Sequence, residues 1–244
     1  MSDLFDYFLR ISPGLILIAT VFLLLPRKQI ITRIFLLILG FALMRDAMTP
    51  VGYWTFGIQE QAVWLRFIDD GWLLAILGTL SLGTCVLLLC IKDLRNLVRW
   101  GKLSSPTTYI IGVGSGIAVA LPFILLALPI DINLRGGEVA IALLPALLYM
   151  ALAGNFLEEL IFRGFLQSYL EKQTTATRAA ILSGLLFAVA HVFLASTVTN
   201  LGVPLLVFVL IEGLVCAFVY KKYGLISSTL THGIVIFILA CGLV

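Results

Sequence analysis

The chain has 244 residues, of which 61% are hydrophobic and only 12% charged, with a mean hydropathy of +1.12. Soluble domains run at about 45–50% apolar and about 25% charged, so these proportions exclude a water-soluble fold. The formal charge of +3 is small and its basic residues are scattered over several short loops, which argues against a nucleic-acid partner.

The first residues, MSDLFDYFLR, place acids ahead of the first apolar run without a small-residue cleavage site, and so argue against a removable signal peptide. Crossing about 30 Å of hydrocarbon takes about 20 helical residues at about 1.5 Å each. Apolar stretches near that length lie at 11–26, 29–45, 71–91, 107–130, 138–157, 179–195, 201–220 and 225–244. They predict an all-α fold, a polytopic transmembrane bundle of about eight membrane helices. The second stretch is short and carries Arg33.

Between the second and third stretches, residues 46–70 hold Pro50, Gly52, Trp54, Trp64, Asp69 and Asp70, and read as an interfacial loop or re-entrant piece with aromatic anchors. From Lys92 to Pro106, Leu94, Leu97, Val98 and Trp100 alternate with four basic residues, as in an interfacial helix. That segment is also a seam, dividing an N-terminal helical region, 1–105, from a functional core, 106–244. Cys85, Cys90, Cys216 and Cys241 lie in apolar runs without metal-type spacing and read as small buried hydrophobes.

Positive charge in short loops is retained on the cytoplasmic side. One set of alternate loops carries ten basic residues, Arg27, Lys28, Lys92, Arg95, Arg99, Lys102, Lys172, Arg178, Lys221 and Lys222, and the other carries four, Arg10, Arg45, Arg66 and Arg135. This asymmetry predicts that both termini lie outside the cytoplasm.

Ionisable groups at membrane depth cost roughly 2.5–3.5 kcal/mol each and mark functional sites. Here they fall after residue 150: Glu158, Glu159, Arg163, His191, Glu212 and His232. In NFLEELIFRGFLQ, Glu159 and Arg163 stand four apart with the acid first, the favourable order for an ion pair on one helix face. Glu158 points about 100° away and is left to act on something else. In the next span Phe187 and His191 share a face, with the imidazole roughly mid-helix. His232 follows Ser227, Ser228, Thr229 and Thr231, small hydroxyl residues that permit close helix approach. Taken singly, the charges read as interfacial and each histidine as a helix-packing hydrogen bonder. Their presence on three spans that can converge favours a site.

A carboxylate and two imidazoles suit hydrolysis in a water-poor cavity. Glu158 serves as general base, one histidine orients the water, and the other donates to the oxyanion. Glu158, His191 and His232 would equally form a zinc set with an open position for water, and the residues leave both mechanisms open. Neither a GxSxG elbow nor an HExxH motif is present.

Together, EExxxR at Glu158, Glu159 and Arg163, FxxxH at Phe187 and His191, and a last membrane histidine at His232 resemble the CAAX prenyl protease and bacteriocin-processing family of intramembrane endopeptidases, which includes the Ras-converting CAAX endopeptidase. The resemblance covers about 106–244. It implies a membrane fold of the eight-helix type with a water-accessible cavity, and cleavage of a membrane-associated substrate, prenylated or presented as a C-terminal tail, at the lipid bilayer. It further implies that Glu158 activates water with His191, that His232 stabilises the oxyanion, and that Glu159 and Arg163 support the site, with or without zinc. Where the family carries Asn or Asp four residues after the last histidine, this chain has Ile236. Asn155, Asn200 and Glu212 are the candidate replacements. A catalytically inactive relative, acting as a membrane interaction or immunity protein, is the alternative. A small proton-coupled transporter is a weaker third reading, since no inverted repeat is visible.

Overall fold

A computed structural model describes residues 2–60, 62–193 and 202–244. Its helices are α1 (Ser2–Leu24), α2 (Ile30–Asp46), α3 (Gly71–Leu89), α4 (Lys92–Arg95), α5 (Pro106–Ala127), α6 (Leu144–Glu159), α7 (Ser168–Glu171), α8 (Ala176–Ala190), α9 (Val203–Tyr223) and α10 (Leu225–Ala240). A π-helical stretch, Leu160–Gln167, joins α6 to α7 without a break. Among the described residues, five helical segments are long and apolar enough to cross a membrane: Leu4–Leu24, α3, α5, Ile141–Glu171 and α9. α8 and α10 are shorter apolar helices. The fold is thus mostly helical and membrane-embedded, with five spans meeting the length criterion where the sequence predicts about eight. Exposed Ile16, Leu17, Leu23, Leu24, Ile110 and Leu125 coat the outer faces, as a lipid-facing surface requires.

The all-α expectation needs one correction. Within 46–70 lies an antiparallel hairpin, β1 (Trp54–Gln59) and β2 (Ala62–Phe67), paired from Trp54 with Phe67 to Gln59 with Ala62. WTFGIQ and AVWLRF are rich in the β-branched and aromatic residues that fit a pleated surface. Glu60 takes φ +53°, the left-handed conformation of a tight two-residue hairpin turn.

Arg66 of β2 ties the hairpin to the C-terminal end of α10, donating to the carbonyls of Leu239 and Val244 as well as to Gly137 O. It supplies a cation where helix carbonyls lack intrahelical partners. Arg45, Arg66 and Arg135, counted from sequence as loop cations, are therefore buried groups with partners inside the protein. Arg33 is also buried, with its guanidinium 4.0 Å from the Phe22 ring centroid. The ten cations of the opposite set are exposed or half-exposed.

The segment after Ile91 also departs from expectation. A single turn, α4, is followed by non-helical chain whose carbonyls cap α10: Leu225 N–H donates to Arg99 O at 2.8 Å and Ile226 N–H to Trp100 O at 3.4 Å. Two glycines with positive φ, Gly101 and Gly224, meet there, and a Cβ on Gly101 would lie 2.1 Å from Tyr223 O. The cysteines are free, and Cys90 is exposed, not buried.

Small residues set the helix spacing around α10. Ser227 Oγ donates to Thr108 O at 2.7 Å and Thr231 Oγ to Gly112 O at 3.1 Å. A Cβ on Gly116 would stand 2.7 Å from Thr231 O, and one on Gly233 would stand 2.7 Å from Leu152 Cδ2. Such close approach gives helices van der Waals contact that lipid does not replace. Gly116→Leu is expected to lower stability by about 1–3 kcal/mol through overpacking, whereas Gly114→Leu, whose Cβ meets nothing within 4 Å, leaves it unchanged. Thermal unfolding in detergent checks this, and equal midpoints for the two variants would contradict it.

Candidate active site

α6 ends on Glu158 and Glu159, both buried, and the helix then widens into the π stretch. A π turn closes on the fifth residue, and such turns recur at functional sites. Within it, the Phe162 carbonyl accepts from Ser183 Oγ of α8 at 2.9 Å. Arg163 and Gln167, four apart, reach carbonyls four apart on α9: Gly213 O at 2.8 Å and Ala217 O at 3.0 Å.

Arg163 Nη1 lies 2.9 Å from Glu159 Oε1, and both side chains are 0% exposed. The guanidinium also stacks on Phe187, its Cζ 4.4 Å from the ring centroid. Glu159 Oε1 is shared with His232 Nδ1 at 2.9 Å. A charge network this deep persists only when every member is compensated.

His191 is the C-cap of α8, not a mid-helix residue as the hydropathy suggested. Apolar composition continues through Val192 and Phe193 and so hides where α8 ends. Its Nδ1 is 2.8 Å from Phe187 O. A carbonyl only accepts, so Nδ1 carries the proton and Nε2 turns inward. That Nε2 lies 3.7 Å from Glu158 Oε2, and His232 Nε2 lies 3.9 Å from the same oxygen. These separations are too long for direct hydrogen bonds and admit a bridging water. Phe187 packs both imidazoles, with ring centroids 4.3 Å from His191 and 5.5 Å from His232.

The three groups face a cavity of about 60 Å³ also lined by Arg45, Asn155, Glu212 and Ile236. A water needs about 10–15 Å³ by this measure, so several fit. Ile236 therefore occupies the cavity wall, where a polar side chain is missing. Of the candidate replacements, Asn155 and Glu212 line the cavity, and Glu212 Oε1 lies 3.7 Å from His232 Nε2. Asn200 lies outside the described residues.

Arg45 was not among the residues singled out from sequence. It sits in the last turn of α2 and forms a close ion pair with Glu158 Oε1. Its only sequence signal is an arginine at the end of an apolar run, indistinguishable from an ordinary loop cation. Three buried carboxylates, Glu158, Glu159 and Glu212, thus face two buried guanidiniums, Arg45 and Arg163. The His232 imidazole lies beside them, its Nε2 3.7 Å from Glu212 Oε1.

Glu158 Oε2 and the two Nε2 atoms have the chemistry of a zinc donor set, with both Nδ1 atoms anchored by acceptors as metal-bound histidines require. Among the described residues, the group whose ligand atoms lie within 4.8 Å of one another is instead Glu159, Cys216 and His232. A cation there would sit beside the Arg163 guanidinium on the same carboxylate, which opposes binding.

Arg163→Leu strands Glu159 in an apolar interior and is expected to cost about 3–5 kcal/mol of stability. Thermal unfolding in detergent measures it, and an unshifted midpoint would contradict the network described.

Residues 140–238 match the family model for Rce1-like proteins, described as type II CAAX prenyl endopeptidase Rce1-like. No curated protein and no solved structure matches the chain. The matched stretch holds Glu158, Glu159, Arg163, His191, Glu212, His232 and Ile236, and leaves out α2 with Arg45.

Proposed function

Since residues 140–238 match the family model for Rce1-like type II CAAX prenyl endopeptidases, we propose that this chain is an intramembrane endopeptidase acting on a membrane-associated, prenylated or C-terminal-tail protein substrate. The observation that carries the reading is the approach of His191 Nε2 and His232 Nε2 to one carboxylate oxygen, Glu158 Oε2, on the wall of a cavity with room for water.

Water between Glu158 Oε2 and His191 Nε2 has an acceptor for each of its hydrogens, which aims its lone pair at a carbonyl carbon entering the cavity. Glu158 takes the proton as the C–O bond forms, and later delivers it to the leaving amine. His232, anchored through Nδ1–H to Glu159 Oε1, presents Nε2 towards the developing oxyanion, and a proton held there donates to it. Arg163 holds Glu159, and Glu159 holds His232. A zinc ion on Glu158, His191 and His232 would supply water activation and Lewis acidity to the same site. The cationic face, from Arg27 and Lys28 through Lys222, is assigned to the cytosol, with both termini opposite.

Ile236 on the cavity wall favours a second reading, a catalytically inactive relative acting as a membrane interaction or immunity protein. Loss of an oxyanion donor costs about 2.7–4 kcal/mol in other hydrolases, so the missing polar group is a large deficit unless a neighbour replaces it.

Glu158→Ala and His191→Ala are each expected to reduce cleavage of a fluorogenic farnesylated tail peptide by about 10²–10⁴-fold while the protein remains folded. Undiminished cleavage by Glu158→Ala would sink the protease reading. A biological activity that survives both substitutions would support the inactive relative.

A further inference from the structure

We propose that Arg45 is a positioning residue for the hydrolysis, supplied to the site by α2 from outside the family-matched stretch; the inference rests on the endopeptidase reading above.

Its seat is built from several elements. Arg45 Nη2 pairs with Glu158 Oε1, and Nη1 lies 3.6 Å from Met48 Sδ. The guanidinium carbon stands 5.6 Å from the Phe41 ring centroid and 5.8 Å from that of Trp54 on β1. Opposite, Gly154 lies one helical turn before Glu158, and a Cβ there would come within 3.1 Å of Arg45 Nη2. The absence of a side chain at 154 thus leaves the guanidinium room against α6. A cation that merely balanced charge would need none of this shaping.

The contact divides the work of the Glu158 carboxylate. Oε1 is held by Arg45, and Oε2 alone faces the two imidazole Nε2 atoms. Without that hold, rotation of the carboxylate lets either oxygen, or neither, meet the water. Misplacement by about 1 Å at a reacting centre costs about 10²-fold in rate. Arg45 also gives the ionised carboxylate a partner in an interior where an unpaired charge is severely penalised. An inhibitory lock would have to cover Oε2, and Arg45 engages the other oxygen.

The test uses the full chain purified in detergent, with the farnesylated tail peptide as probe. Arg45→Ala is expected to lower kcat by about 10²-fold or more with KM held within about threefold, because the lost interaction acts on the reacting carboxylate and not on substrate binding. Millimolar guanidinium chloride should restore at least about tenfold of the lost rate where equimolar sodium chloride does not. Arg45→Lys, which keeps the charge but not the planar fork, is expected to fall between wild type and Arg45→Ala. It carries the test if Arg45→Ala fails to fold. Unchanged or increased kcat in Arg45→Ala, or a folded Arg45→Ala that guanidinium does not rescue, overturns the proposal while leaving the peptidase reading in place. A folded Arg45→Lys with full kcat does the same. Wild-type protein that does not cleave the peptide, or Glu158→Ala that still does, overturns both.

Discussion

The arrangement depends on one interaction: the fully buried ion pair between Glu159 and Arg163. Neither charge has access to water, so each must be compensated by protein. The compensating groups are drawn from α8, α9 and α10. Gly213 O accepts a hydrogen bond from the guanidinium, Phe187 stacks on the guanidinium face, and His232 Nδ1 shares the carboxylate oxygen. Satisfying this pair therefore fixes where three helices stand. It also orients His232 with its other nitrogen towards Glu158.

From that constraint the differences between neighbouring acids follow. Adjacent residues on a helix point in different directions, so Glu159 faces the helix contacts while Glu158 faces the cavity. The π stretch begins immediately after Glu159 and buries every residue from Leu160 to Gln167. Close packing of α10 on α5 and α6, through Gly112, Gly116 and Gly233, brings His232 to the same place from the far side. Charge balance then links the network to the rest of the molecule: Arg45 from α2 offsets Glu158, and Glu212 of α9 lies 3.7 Å from His232.

Much of this was legible in the sequence because membrane depth makes polar residues conspicuous. The Glu159–Arg163 spacing and the interest of Glu158, His191, Glu212 and His232 came from polar residues standing in apolar runs, and the five long membrane helices from the apolar runs themselves. The hairpin was harder to read, because Trp54 and Trp64 fit the pattern of interfacial anchors and that of strand residues alike. Arg45 was hidden for a different reason. An arginine at a helix end is cheap at a membrane surface, and only a three-dimensional contact 113 residues away in sequence distinguishes it from a loop charge. The end of α8 at His191 was blurred because hydropathy does not record where helical hydrogen bonding stops.

The proposed role of Glu158 is to activate water and not to attack the peptide itself, and the origin of the oxygen in the product separates these. Single-turnover cleavage of the tail peptide in ¹⁸O-labelled water, followed by mass spectrometry, reads it directly. Direct attack by water predicts one labelled oxygen in the new carboxylate from the first turnover. Unlabelled product in that turnover, with label appearing in Glu158, would show a covalent acyl-enzyme on that residue and contradict the account.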